Sequence, residues 1–336
     1  MAAETKVSIC LPTCNRPDLL IRCIESCLAQ THANIEIVIG DDSPDEQTKL
    51  LIAECYPDEA RIVYRRNAPA LGQACNVASL FARATGDKIL LIHDDDYLAT
   101  TGIEHLLAQW DRYPGLQVAF GNQYEADQNG AVDLVASRRM NIAFHRTPGA
   151  AGLQALPGRV GIVQMFPNNG WLADAALVKQ IGYDEHYGVC CDFVFGVRLC
   201  LAARRVCYVD AYISYYRKSD VSVSQATRQT TSAASLAAWH FLNGLALPPE
   251  LESARKLAFR RLVPIVVSLY ARNDDARTGL NLVLRNLYAY RFGLSPRLYY
   301  HLLMIWKSAR RASKQPRALV FEANEQVSDV NRRRIP

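Results

Sequence analysis

No uncharged apolar run in this chain approaches the roughly 20 residues that a helix needs to cross a bilayer. Nor does the chain open with a basic segment followed by an apolar one, so no secretory signal is expected and a cytoplasmic protein is. Cysteine is plentiful at ten residues, yet no pair has the C-x2-C spacing of a zinc framework. In a reducing compartment these thiols read as small buried hydrophobes, with Cys23 and Cys27 one helical turn apart. Low-complexity tracts and internal repeats are missing as well. The loop Pro12 to Pro17 contains no glycine, which excludes a Gly-rich phosphate loop after the first strand.

What is present is an ordinary globular composition, 50% hydrophobic and 21% charged over 336 residues, enough for one large domain or two smaller ones. The net charge of +5 conceals an asymmetry. Residues 1–225 carry 20 Lys and Arg against 26 Asp and Glu, whereas residues 226–336 carry 18 against 7. The two parts therefore face different partners, and nothing in the pattern points to nucleic acid.

The stretch that organises the rest is Lys88-Ile89-Leu90-Leu91-Ile92-His93-Asp94-Asp95-Asp96-Tyr97-Leu98. A continuous apolar run reads as a strand buried on both faces. Three carboxylates then fall at its carboxyl end, the edge where open α/β sheets bind ligands. Adjacent Asp residues repel one another, and a divalent cation taking oxygen ligands together with substrate phosphates offsets that repulsion. Mn²⁺ or Mg²⁺ is the expected ion.

Strands and helices alternate around this element. Strands are expected at Lys6–Leu11, Ile35–Ile39, Arg61–Arg66, Gln117–Asn122 and Val206–Tyr216. Helices are expected from Pro17 to Leu28, Asp45 to Tyr56, Gln73 to Ala84, Gly102 to Arg112, Asp174 to Ile181 and Asp192 to Ala203. This order implies βαβ units and a mainly parallel sheet flanked by helices. A second acidic loop, Asp41-Asp42, then shares an edge with Asp94 to Asp96. Between Gln123 and Gly170 the periodicity weakens, apart from a hairpin turn at Asp127-Gln128-Asn129-Gly130, and loops with irregular strands are expected over the mouth of the sheet.

Five motifs now stand in order. Val7 to Arg16 is similar to V-S-V-I-I-P-x-Y-N-R, Ile35 to Ser43 to E-I-I-V-V-D-D-G-S, and Gly86 to Leu98 to G-D-Y-I-x-F-L-D-x-D-D-x-L. Ile181 to Glu185 is similar to G-G-F-D-E, and Cys191 to Leu199 to E-D-x-x-L-x-x-R-L. Over Lys6 to Ser224 the chain thus resembles the family 2 inverting glycosyltransferases of GT-A (Rossmann-like) fold. The resemblance implies sugar transfer from a nucleotide-diphosphate sugar, UDP foremost, to the hydroxyl of a glycan or lipid-linked acceptor in bacterial surface polysaccharide synthesis.

Carried over by residue, the resemblance puts Pro12, Thr13, Asn15, Arg16, Asp42, Asn76 and Asp94 at the nucleotide. It puts the metal on Asp95, with Asp96 and His93 as further candidates. Asp192 falls at the general base and Trp171 on the acceptor side. Tyr215-Tyr216-Arg217-Lys218 with Ser222 and Ser224 resembles Y-R-x-H-x-x-S, a loop that places Arg217 and Lys218 at the diphosphate. Three positions depart from the family pattern: His93 stands at the first Asp of D-x-D, Cys191 at the usual Glu, and Cys75 at an Arg before Asn76. Those departures make a catalytically inactive scaffold of the same fold the rival reading. Nucleotidyl transfer is a second rival, opposed by the glycine-free first loop.

The expected domains are a catalytic one over residues 1–225, a helical region over 226–315, and a loose tail over 316–336. Helices are expected at Ala233–Leu245, Glu250–Tyr270, Asp274–Tyr290 and Pro296–Arg311. Leu298, Tyr299, Leu302, Leu303, Ile305 and Trp306, with Lys307, Arg310 and Arg311 close by, suit a helical face on an anionic membrane or one packed against the catalytic domain or a second subunit of a homo-oligomer.

Overall fold

The computed structural model describes residues 5–218 and 228–312. Ser222, Ser224 and the tail from 316 lie outside the described residues. The chain divides into two compact units, Met1–Val223 and Ser224–Pro336.

Among its described residues the first unit holds nine strands: β1 (Val7–Thr13), β2 (Ile35–Asp41), β3 (Ile62–Arg66), β4 (Lys88–Leu91), β5 (Tyr97–Leu98), β6 (Val118–Ala126), β7 (Gly152–Leu153), β8 (Trp171–Asp174) and β9 (Val206–Arg217). Eight helices connect them: α1 (Pro17–Leu28), α2 (Gln47–Cys55), α3 (Gln73–Arg83), α4 (Gly102–Arg112), α5 (Leu134–Ala143), α6 (Pro157–Ile162), α7 (Ala175–Ile181) and α8 (Cys191–Ala202). The sheet runs β3-β2-β1-β4-β8-β6-β9-β5, with β7 also on β9. From β3 to β4 every pairing is parallel, as the alternation of strands and helices predicts. β8 then inserts antiparallel between β4 and β6, whereas β6 and β9 pair in parallel.

Apolar runs explain the interior. Every residue of β2 is buried and five of the first six in β1 are fully enclosed or nearly so, because helices cover both faces of the sheet. On α1 the buried face is Leu20, Cys23, Ile24 and Cys27, one stripe at helical spacing, with Pro17 as first residue. Cys10, Cys23, Cys27, Cys190, Cys191, Cys200 and Cys207 are all buried free thiols. They fill core space, as expected of thiols without metal spacing.

Two expectations are corrected. The Gln123–Gly170 segment is more ordered than its pattern implies. It carries α5, α6 and the rest of β6, and α5 is capped by the Asp133 side chain, which accepts from the Ala136 N–H. The second correction is β8, which lies where only a helix approach was read. Four residues, Trp-Leu-Ala-Asp, are too few to show an alternation, and only pairing to β4 and β6 makes them a strand.

The second unit is helical: α9 (Arg228–Gly244), α10 (Glu252–Arg272), α11 (Ala276–Arg285) and α12 (Pro296–Ala312). The helix expected to run on to Tyr290 stops at Arg285. A 3-10 segment, Leu287–Gly293, follows, with Arg291 and Phe292 at positive φ (51° and 52°). Leu298, His301, Ile305 and Ser308 form the inward face of α12. Phe292, Leu294, Tyr299 and Trp306 stand exposed, and the Arg310 guanidinium lies 3.7 Å from the Trp306 ring centroid. None of the described helices is long and apolar enough to cross a membrane.

Candidate active site

The parallel strands β1, β2 and β4 end together, so their following loops converge at one edge. β4 stops at Leu91, and Ile92 continues beside β1 through its N–H to the Cys10 carbonyl (3.1 Å). The chain then turns, with the Asp96 N–H donating to the His93 carbonyl at 3.1 Å. This turn stacks the three Asp side chains at the edge. The Thr13 hydroxyl, at the tip of β1, donates to Asp94 at 2.8 Å. Arg16 reaches Asp94 and Asp95 at 3.3 and 3.2 Å. Arg217, at the end of β9, donates its N–H to Asp96 (2.9 Å) and its Nε to the Asp95 carbonyl (3.1 Å).

Burial and then the neighbouring Asp95 push the Asp94 carboxyl above its usual range, and the same two causes push Asp96 up to about 7. Ligand atoms of His93, Asp95 and Asp96 lie within 4.8 Å of one another, a spacing that suits one divalent cation. Asp94 and Asp96 spend both carboxylate oxygens on neighbours, whereas one Asp95 oxygen, Oδ1, meets no described donor.

A second wall comes from β2. The Asp42 carboxylate accepts from Asn67 Nδ2 (2.8 Å) and the Leu71 N–H (3.1 Å), and the Asp42 N–H donates to the Thr13 carbonyl. Asp41 points the other way and holds Ser43 and Tyr64. The Asn15 N–H donates to Ser43 Oγ at 2.8 Å, while its side chain is exposed beside Cys14. Pro12 is half-buried at the end of the strand.

Asn76 is the exception among the expected nucleotide contacts. It is buried, and its amide donates to the Gly40 carbonyl (2.8 Å) and accepts from Asn67 (3.1 Å). It braces the Asp42 wall from behind and offers nothing to a ligand. Gly40 must be glycine here, since a Cβ would stand 2.1 Å from Asn76 Oδ1.

The third wall is α8. Asp192 lies in its first turn, and Cys190 occupies the cap position, so Asp192 does not cap the helix. Its carboxylate accepts from the Tyr183 hydroxyl and faces His93 Nε2 at 4.0 Å. Burial pushes the Asp192 carboxyl up, against a smaller downward pull from His93. For His93 burial alone would favour the neutral ring, but Asp192, Asp96, Asp95 and Asp94 outweigh it and raise its pKa.

Two expected positions are corrected by their surroundings. Trp171 is fully enclosed among Phe81, Phe166 and Phe195, so it presents no surface to an acceptor; its place in β8, at the centre of the sheet, makes it core. Lys218 pairs with Glu125 across β6 and β9, and only Arg217 of the basic pair turns to the acidic loop.

Sequence reading missed Asn67, Gln123, Asn169, Tyr183 and Arg146. Asn169 and Tyr183 lay inside segments already marked, beside Gly170 and after Gly182, and could have been found there. Gly170 has φ +69°, and a Cβ on it would meet Ser214 Oγ at 2.4 Å. Its N–H donates to the Leu91 carbonyl (2.8 Å), which carries Asn169 to Asp96.

The site thus joins an α/β sheet with two acidic loops on its carboxyl edge and a carboxylate on a separate helix that faces His93, an arrangement of the GT-A type. Residues 8–167, just under half of the chain, match the sequence profile of "Glycosyl transferase family 2". Among curated relatives, the chain is 30% identical over 125 residues to glycosyltransferase GlyG of Streptococcus pneumoniae, covering 37% of this chain and 40% of that one. It is 30% identical over 118 residues to the GalNAc(5)-diNAcBac-PP-undecaprenol beta-1,3-glucosyltransferase of Campylobacter jejuni, covering 35% and 38%. The chain thus spans about two fifths of the length of these relatives. In structure it resembles S. aureus TarS 1–349 in complex with UDP-GlcNAc, with a TM-score of 0.56 and 17% identity over 91% of this chain and 92% of that one. It is likewise similar to the mannosyltransferase PcManGT from Pyrobaculum calidifontis in complex with GDP-Man and Mn²⁺, with a TM-score of 0.56 and 14% identity over 94% and 89%.

Proposed function

We propose that the protein is a metal-dependent inverting glycosyltransferase that moves a sugar from a nucleotide-diphosphate sugar to an acceptor hydroxyl. The observation that carries this reading is the approach of Asp192 on α8 to His93, which directly precedes the three carboxylates that follow β4. One wall can hold a leaving diphosphate while the other takes a proton. The donor is a UDP-sugar or a chemically similar nucleotide sugar; the UDP-GlcNAc, UDP and GDP-Man complexes of the structural neighbours support that class.

Asp95 and Asp96 would hold the cation, which when bound supplies Lewis-acid stabilisation of the leaving diphosphate. Arg16 brings a positive charge to the same edge, between Asp94 and Asp95. Asp42, held by Asn67 and the Leu71 N–H, orients the nucleoside through its carboxylate. Asp192 accepts the proton of the acceptor hydroxyl. Burial makes its anion a stronger base than an exposed carboxylate. One base and one displacement invert the anomeric centre. A glycan or lipid-linked acceptor in bacterial surface polysaccharide synthesis fits the curated relatives. The exposed apolar side of α12, rimmed by Arg310 and Arg311, suits peripheral contact with an anionic membrane.

Titration calorimetry with UDP, GDP and dTDP, each with and without Mn²⁺, tests the reading. Binding of one diphosphate that requires the metal and is lost in Asp95→Ala supports it. Metal-independent binding, or none, favours the inactive scaffold.

A further inference from the structure

Arg146 is a buried cation without a carboxylate: among the described residues no acid lies within ion-pair distance of it, and its residue is only 3% exposed. Its Nη1 donates instead to Gln123 Oε1 at 3.2 Å, and its Nε meets no described acceptor. A buried guanidinium in that position is costly unless it does something a neutral residue cannot. What it can do is fix a direction, since a guanidinium has donors and no acceptor.

The direction propagates. Gln123 accepts with its oxygen, so its Nε2 must donate onward, and it does so to Asn169 Oδ1 at 3.1 Å. Asn169 has then spent its oxygen, and its Nδ2 donates to Asp96 (2.5 Å) and faces His93 Nδ1 at 3.4 Å. The carboxylate of Asp96, which accepts, demands the same polarity from the far end. Gln123, Asn169 and Asp96 are all buried, so water does not compete for this chain.

We propose that the Arg146–Gln123–Asn169 chain holds the neutral His93 ring as the Nε2–H tautomer, which aims an N–H at the Asp192 gap and makes His93 an orienter of the acceptor hydroxyl instead of a metal ligand. In this tautomer the Nδ1 lone pair faces the Asn169 amide and Nε2 carries the proton, so neither nitrogen has a lone pair for a cation. The candidate ligand set therefore contracts to Asp95 and Asp96. His93 Nε2 is buried with no hydrogen-bond partner and stands 4.0 Å from Asp192 Oδ1. That gap is too long for a direct hydrogen bond. An oxygen placed off the line joining them reaches both at hydrogen-bond distance. A hydroxyl there accepts from His93 Nε2–H and must turn its own hydrogen to Asp192. Arg146, Gln123 and Asn169 are positioning residues in this scheme. The role of the hydroxyl rests on the glycosyl-transfer reading; the tautomer does not.

Long-range ¹H–¹⁵N NMR of the full chain at alkaline pH, with His93 assigned by its loss in His93→Ala, reads the tautomer directly. The Nε2–H pattern is expected, and an Nδ1–H pattern overturns the inference without the need of a relay variant. Asn169→Asp, which only accepts once both it and Asp96 are ionised at alkaline pH, is expected to shift His93 to Nδ1–H, and Asn169→Leu to a mixture. An unchanged Nε2–H signal in both overturns the relay. The calorimetric titration with UDP, GDP and dTDP separates the two claims. His93→Ala is expected to keep the metal-dependent Kd for the nucleotide that binds within about threefold while kcat falls by about tenfold or more, the net contribution of about one hydrogen bond. A parallel loss of metal affinity makes His93 a ligand and overturns the proposal. If no nucleotide binds to the parent at all, the glycosyl-transfer reading fails, and the tautomer still stands or falls on its NMR spectrum.

Discussion

Asp192→Asn separates chemistry from folding. Asparagine has the shape of aspartate, and its oxygen can still accept from the Tyr183 hydroxyl, so α8 keeps its place. What is lost is a proton acceptor. A positioned general base contributes about 10²- to 10⁴-fold, which corresponds to about 2.7 to 5.4 kcal/mol of barrier at 1.36 kcal/mol per tenfold. Donor binding uses the Asp95 and Asp42 walls, so Kd for the nucleotide should not change.

Stability should move the other way. Burial raises the folded-state pKa of Asp192, so the folded protein binds that proton more readily than the unfolded chain. The parent then loses stability as pH rises from the unfolded value through the raised folded one. The asparagine variant carries no such charge, and its Tm above that interval should equal or exceed that of the parent. Nucleotide release with an acceptor present reads the rate, calorimetry the donor affinity, and scanning calorimetry the Tm. A rate within about tenfold of the parent refutes the assignment of Asp192 as base, and a joint loss of rate, donor binding and Tm shows the residue to be structural.

Other perturbations give separate outcomes. Gly40→Ala puts a Cβ 2.1 Å from Asn76 Oδ1 and should cost about 1–3 kcal/mol in denaturant unfolding, as overpacking does; a change below the error of the midpoint refutes the tight contact. Glu36 is buried, which raises its pKa, but bonds from Ser8, Thr85 and Lys6 outweigh that and hold it down to about 2. Its contribution to stability is therefore present above the unfolded carboxylate range and fades as pH falls toward 2, so the stability gap between the parent and Glu36→Gln should shrink over that interval. A gap that is flat with pH rules this out. For the membrane contact, sedimentation with anionic vesicles should fall in Trp306→Glu and with added salt, and equal binding to neutral vesicles sinks it.

The local pattern alone supplied β1, β2, β4 and α1, because each strand is an apolar run broken at most by one polar residue, Ser8 or Glu36, before its end, and the helix is a single stripe. It also marked the two acidic loops, since closely spaced carboxylates after buried strands are costly and therefore informative, whereas Asp192 came from the family resemblance alone. Tertiary structure decided the rest. Whether Trp171 meets a ligand or the core depends on which strands flank β8, and four residues carry no trace of that. Asn76 matched a nucleotide contact by position, yet the close approach of Gly40 and Asn67 turned it inward. Gln123, Asn169 and Arg146 lie in a stretch without clear periodicity, 46 residues separating the first two. Their alignment is a matter of hydrogen-bond direction, set by a cation at one end and a carboxylate at the other. Direction of that kind exists only once the chain has closed, because no local preference of glutamine or asparagine says which end of its amide must donate.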